Sequence, residues 1–115
     1  MDEHIVGTET IHLSVFDGPL DLLLQLIEKA EIDIREVFLS EVTAQYLAIL
    51  QADELMDMDR SSEFSAMGAT LLYIKSNHLL PSVDEETAEE VAETEEDLIR
   101  RLEEYKRFKD LTVRL

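Results

Sequence analysis

"FSAMGATLLYIKSNHLLP", residues 64–81, decides how the rest of the chain is read. From Ser65 to Leu80 it carries one formal charge, Lys75, in a chain of 115 residues of which 32% are charged. Asp59 or Ser61 can cap it and Pro81 stops it, so the pattern predicts a helix that reaches Leu80. At about 100° per residue, Phe64, Met67, Leu71, Ile74 and His78 fall in one sector at spacings of three and four. Gly68, Leu72 and Leu79 form a second sector, with Lys75 between the two; Ala66, Ala69, Tyr73 and Leu80 form a third. Thr70 and Asn77 mark the polar side. One neighbouring surface cannot cover three apolar sectors. Either the helix is central and fully surrounded, or a strip of it is left for another molecule. The heptad-like seam Phe64–Met67–Leu71–Ile74–His78 suits a partner helix, and on that reading Leu71→Glu abolishes binding without unfolding the domain.

Working outward, "TIHLSVF" (10–16) alternates, with Ile11, Leu13 and Val15 on one side, and predicts a short strand. Asp17-Gly18-Pro19 is a turn that starts a helix over about 19–30, since Pro at the first helical position loses no hydrogen bond. Leu20, Leu23, Leu24 and Ile27 form its apolar stripe. The stretch "EIDIREVFL" is read as a connection anchored by Ile32, Ile34 and Val37, and Ser40 as the cap of a second helix over about 41–51. Val83 to Asp97 holds nine acidic residues and no basic one, the composition of a self-repelling linker. A last helix then begins near Thr94 or Glu95, its stripe made by Leu98, Leu102, Tyr105, Phe108, Thr112 and Leu115. The expected fold is therefore mainly α: a short N-terminal strand, a three-helix unit, an acidic linker and a C-terminal amphipathic helix. A helix running flush to the last residue is expected of a piece of a longer protein.

A net charge of −17 argues against sequence-independent binding to nucleic-acid phosphates, which needs clustered Lys and Arg. There is no cysteine, so no disulfide or thiolate site. "MDEHIVGTET" (1–10) lacks the basic and apolar regions of a signal peptide, and no apolar run approaches the roughly 20 residues of a membrane span. His4, His12 and His78 lack ligand spacing, and "DELMDMD" (53–59) lacks the central Gly and terminal Glu of a calcium loop. No nucleophile elbow or phosphate-cradling Gly loop is present. The expectation is a protein without catalytic residues, cofactor or metal. The basic residues near the end fall at i,i+4 from acidic ones, as in Arg100–Glu104, Glu103–Arg107 and Lys106–Asp110, which is a solvated face rather than a nucleic-acid patch.

Four stretches together carry a resemblance: "FDGPLDLLLQLIEKAEIDI" (16–34), "SEVTAQYL" (40–47), "SEFSAMGATLLYIKSNHLLP" (62–81) and "EEDLIRRLEEYKRFKDL" (95–111). In this order and spacing they resemble the bacterial segregation and condensation protein A family, kleisin subunits of the SMC condensin. The resemblance implies an N-terminal SMC-binding domain over 1–81, an acidic linker over 82–94, and over 95–115 the start of a segment gripped by a dimer of segregation and condensation protein B. It implies that the "IKS…LLP" helix packs on the coiled-coil neck beside an SMC ATPase head, and the seam proposed for it is Phe64, Met67, Leu71, Ile74 and His78. Leu98, Leu102, Tyr105 and Phe108 are then the residues for the protein B dimer. It further implies a cytoplasmic, nucleoid-associated protein with no direct nucleic-acid or membrane contact. A chain ending here lacks the family's C-terminal winged-helix domain and could not bridge two SMC heads. Ser65, Ala66, Gly68, Asn77 and His78 depart from the usual pattern, which bears on the face and strength of the SMC contact. The alternative function class is a helical protein unrelated to SMC that self-associates through its strand and the 64–81 helix.

Overall fold

The structure is a computed structural model that describes residues 13–52, 58–80 and 84–114. Among the described residues four α-helices follow one another: α1 (Pro19–Ala30), α2 (Val42–Ala52), α3 (Met58–Leu79) and α4 (Glu85–Arg114). A 3-10 turn (Leu13–Val15) precedes α1, and a 3-10 helix (Ile34–Leu39) joins α1 to α2.

Pro19 opens α1 as the sequence indicates, and Leu22, Leu23, Leu24 and Ile27 turn into the core. The helix ends at Glu31 in the left-handed region, φ 59°, with its N–H returned to Glu28 O and that of Ile32 to Ile27 O. That turn redirects the chain into a 3-10 helix which the sequence reading leaves as a connection. Its signal is local. Asp33 accepts the Arg35 N–H at 2.9 Å while Glu36 accepts the Asp33 N–H at 3.0 Å, so acids three residues apart cap each other's backbone. The result buries Ile34, Val37 and Phe38. Ser40 closes it by donating to Val37 O at 2.9 Å, and accepts the Val42 N–H at 3.2 Å to start α2.

α3 lies at the centre, touching α1, α2, α4 and the 3-10 helix. Gly68 faces α2, where a Cβ would stand 3.1 Å from Leu47 Cδ2 and 3.3 Å from Leu50 Cδ2. The glycine that weakens the isolated helix thus admits its neighbour. Tyr46 of α2 reaches the same contact and donates its hydroxyl to Phe64 O at 2.8 Å. A buried phenol with its donor satisfied stabilises this crossing instead of straining it.

Two expectations are corrected. Among the described residues there is no strand: Leu13–Val15 is a 3-10 turn closed by the Phe16 N–H on Leu13 O, while Thr10 to His12 lie outside the described residues. Leu13 is buried and Val15 exposed, which a strand face would not allow. Among the described residues the segment has no ladder to join, so tucking one leucine into the helical core wins. The acidic run, expected as an extended linker through 94, is helical from Glu85 onward. Asp84 accepts from the Glu86 N–H and the Thr87 hydroxyl, and Glu85 and Glu86 sit in the first turn, where negative charge complements the helix dipole. Val91 is buried partway along, which anchors the run. α4 spans 30 residues, about 45 Å at 1.5 Å per residue, and so accounts for the 47 Å long axis of the molecule.

Candidate protein-docking surface

The seam expected to face a partner helix is inside this chain. Phe64, Leu71 and Ile74 have no exposed surface and Met67 is buried, all within one core with Leu22, Phe38, Tyr46, Leu98 and Leu102. His78 lies over Phe38, ring centroids 6.4 Å apart, and its Nε2 meets Glu95 Oε1 of α4 at 3.1 Å. The spacing identifies a helix-packing seam correctly, but its partners are α1, α2, α4 and the 3-10 helix. Burial of that many large side chains cannot be exchanged for an external contact without taking the core apart.

The opposite face of α3 is open. Ser65, Ala66, Ala69, Leu72, Tyr73, Ser76 and Leu79 are exposed along it, with Leu80 just beyond its end. Leu72 is 50% exposed, Leu79 69% and Leu80 81%. Positions 65-69-72-76-79 and 66-69-73-76-80 both follow alternating steps of three and four, the register of a coiled-coil contact. The face is also free of charge. Lys75, the one ionised side chain of 65–80, turns away and donates to Phe38 O at 3.0 Å and Ser40 O at 3.4 Å. Those carbonyls flank Leu39, which is itself exposed, so further apolar surface lies within a lysine's reach of the helix. In a chain of −17, an uncharged helix face is the place where another protein surface can sit without stranding a charge. Small residues occupy its first half and large ones its second, which lets a second helix approach closely at one end and interdigitate at the other.

The stripe of α4 divides. Leu98 and Leu102 are in the core with Ile99, Tyr105 is half-buried, and Phe108 is 62% exposed with Leu111 beside it. Tyr105 and Phe108 pack ring against ring at 6.2 Å. The last turns of α4 are tied to the start of α1. Asp21, buried, accepts from Lys109 Nζ at 3.0 Å, from the Asp17 N–H at 2.9 Å and from Gln25 Nε2 at 3.2 Å. Burial pushes this carboxyl up, but the Asp17 N–H, Lys109 and Gln25 outweigh it and hold it below the usual carboxylate range. The hydrogen bond to Asp21 raises Lys109 in turn. A depressed carboxylate contributes stability that is complete above its unfolded pKa, about 4, and is lost as pH falls through its lower folded value. The raised lysine contributes below about 10.4 and is lost only above its folded value. The end of α4 should therefore stay docked from pH 5 to 9 and loosen below pH 4. Amide NMR shifts of residues 105–112 followed through an acid titration check this, and Asp21→Asn should remove the transition.

None of these arrangements was legible as a reaction centre, and among the described residues no group of three or more His, Asp and Glu could hold a metal ion. Residues 53–57 of the acidic stretch "DELMDMD" lie outside the described residues. No described helix is long and apolar enough to cross a membrane.

Residues 26–114 match the family model described as segregation and condensation protein ScpA. The chain is 44% identical over 113 residues to segregation and condensation protein A of Brevibacillus brevis, which covers 92% of this chain and 44% of that protein. It is 42% identical over 105 residues to the protein of that name from Streptococcus uberis, covering 91% and 44% of the two. With that of Clostridium perfringens the identity is 45% over 107 residues, covering 91% and 42%. The chain thus spans less than half the length of the curated relatives it matches.

Proposed function

The chain belongs to the segregation and condensation protein A family, and from that premise we propose that it is a non-enzymatic adaptor of chromosome segregation and condensation which docks on an SMC protein through the outward face of α3. The supporting observation is that face: charge-free, heptad-spaced and open from Ser65 to Leu80. A coiled coil beside an ATPase head offers the matching ridge, and the helix completes a bundle with it. Leu72, Tyr73, Leu79 and Leu80 each contribute roughly 1.5–3 kcal/mol if fully buried from an exposed state, and less here because each is partly covered already. Association itself costs about 4–15 kcal/mol, so the large residues alone give a weak complex. Close backbone approach along Ser65, Ala66, Ala69 and Ser76 supplies the remaining packing.

The second contact in this reading is the end of α4, where Tyr105, Phe108 and Leu111 offer an aromatic and aliphatic patch to a dimer of segregation and condensation protein B. The protein acts in the cytoplasm at the nucleoid, without touching DNA itself, as its charge of −17 suits. The seam Phe64–Met67–Leu71–Ile74–His78 serves the SMC contact indirectly, by holding the outward face in place.

Size-exclusion chromatography of the chain with an SMC head carrying its adjoining coiled coil tests the reading. Co-elution as one complex is expected. Two separate peaks from folded proteins would overturn it, and a tight homodimer that excludes the SMC protein would favour self-association through the same face.

A further inference from the structure

The packing of α4 in its own core and the protein B contact proposed for it compete. Leu98 and Leu102 are fully covered by this chain's own core, whereas six residues later Phe108 stands in solvent. A dimer that grips the whole stripe Leu98, Leu102, Tyr105 and Phe108 cannot reach its first half while α4 is docked. At the boundary between the covered and open halves lies the Lys109–Asp21 ion pair. Asp21 is 3% exposed and fixed by the Asp17 N–H and Gln25, so it presents a preformed acceptor. Tyr105 leans on the same place, its hydroxyl 3.5 Å from Asp17 Oδ2 and its ring 5.9 Å from the Lys109 ammonium. Asp17, Asp21 and Tyr105 line a groove of about 510 Å³ between the start of α1, α3 and α4, and the Lys109 side chain is partly in solvent.

We propose that Lys109 on Asp21 is a latch that holds α4 against its own domain, and that a partner gripping the α4 stripe must open the latch before it binds fully. The chain then has two states, α4 docked and α4 released, and only the released state offers Leu98 and Leu102. This rests on the reading of α4 as the handle for the protein B dimer. Apparent affinity for that dimer is lowered in proportion to the small fraction of released α4. By linkage, capture of α4 uncovers the surfaces of α1, α3 and the 3-10 helix that it now covers, so loading of protein B is felt by the helix proposed to carry SMC.

The test uses the whole chain, its Asp21→Asn and Lys109→Gln variants, and purified segregation and condensation protein B. Asn keeps an oxygen for the Asp17 N–H, so that hydrogen bond is retained while the ion pair is lost. Without partner, amides of residues 103–112 should exchange faster in both variants, since an undocked helix of this length frays. Binding to protein B should be about tenfold tighter for Asp21→Asn than for the unaltered chain, the released fraction having risen by that factor. Unchanged exchange overturns the latch. Faster exchange with equal or weaker binding overturns the competition but leaves α4 as a handle. Failure of all three chains to bind overturns the handle itself, whatever the exchange shows. If Asp21→Asn fails to fold, Lys109→Gln carries the same comparison, because that side chain is partly in solvent already.

Discussion

Leu71→Glu should unfold the domain. Leu71 has no exposed surface and sits in the cluster that joins all four helices. Removing a buried leucine costs about 2–5 kcal/mol through lost transfer and the cavity left behind. A carboxylate in its place must either be desolvated or take up a proton at a further cost of several kcal/mol. Domains of this kind are stable by about 5–15 kcal/mol, and a small one lies toward the low end. A thermal melt followed by circular dichroism should show loss of the cooperative transition, or a fall in Tm of more than about 15 °C. A variant that melts like the unaltered chain and merely fails to bind would return Leu71 to the partner-facing seam that its spacing suggests.

Leu72→Glu combined with Leu79→Glu should do the opposite. Both positions lie on the outward face, half or more exposed, and glutamate is a good helix former, so stability should change by under about 1 kcal/mol. Binding to the SMC head and neck should weaken by at least about 100-fold, since two carboxylates would be driven into a helix–helix seam without partners. Calorimetric titration reads this directly. Unaltered affinity with an intact fold would move the contact off α3.

Leu71 and Leu72 are neighbours in sequence, and the contrast between them shows where sequence reading succeeds and stops. The 3-4-3-4 spacing of Phe64, Met67, Leu71, Ile74 and His78 announces a packed seam, and the surplus of apolar sectors announces a second contact. Nothing in the wheel says which sector is satisfied internally. That depends on the 3-10 helix and α4. The first buries Phe38 against α3 through a capping box hidden in an apparent connection. The second begins ten residues earlier than composition indicates, because Asp84 and two early glutamates turn a repulsive run into a favourable helix start. With α4 docked, Leu98, Ile99 and Leu102 occupy the space a partner was expected to fill. α1, α2 and the limits of α3 were legible because their signals are local: Pro19, Ser40, and the apolar run that stops before Pro81. Over Leu13–Val15 the expected N-terminal strand gives way to a 3-10 turn, because alternation over so few residues does not say whether a neighbouring strand exists.

The Lys109–Asp21 pair is the kind of contact that sequence cannot supply. The two residues are 88 positions apart, and neither lies in an unusual local pattern. Only the fold brings the acid of "GPLD" (18–21) beneath the lysine of "YKRFK" (105–109). It follows that two motifs carrying the family resemblance meet physically in this chain.

The outward face of α3 as the SMC contact is tested most directly by photo-crosslinking. A benzoylphenylalanine placed at Ala69, midway along that face, should crosslink in high yield to the coiled coil of an SMC head-and-neck protein, while the same group at Glu28 on α1 should not. Crosslinks from Glu28 alone, or from neither position in a complex shown to form, would contradict the assignment.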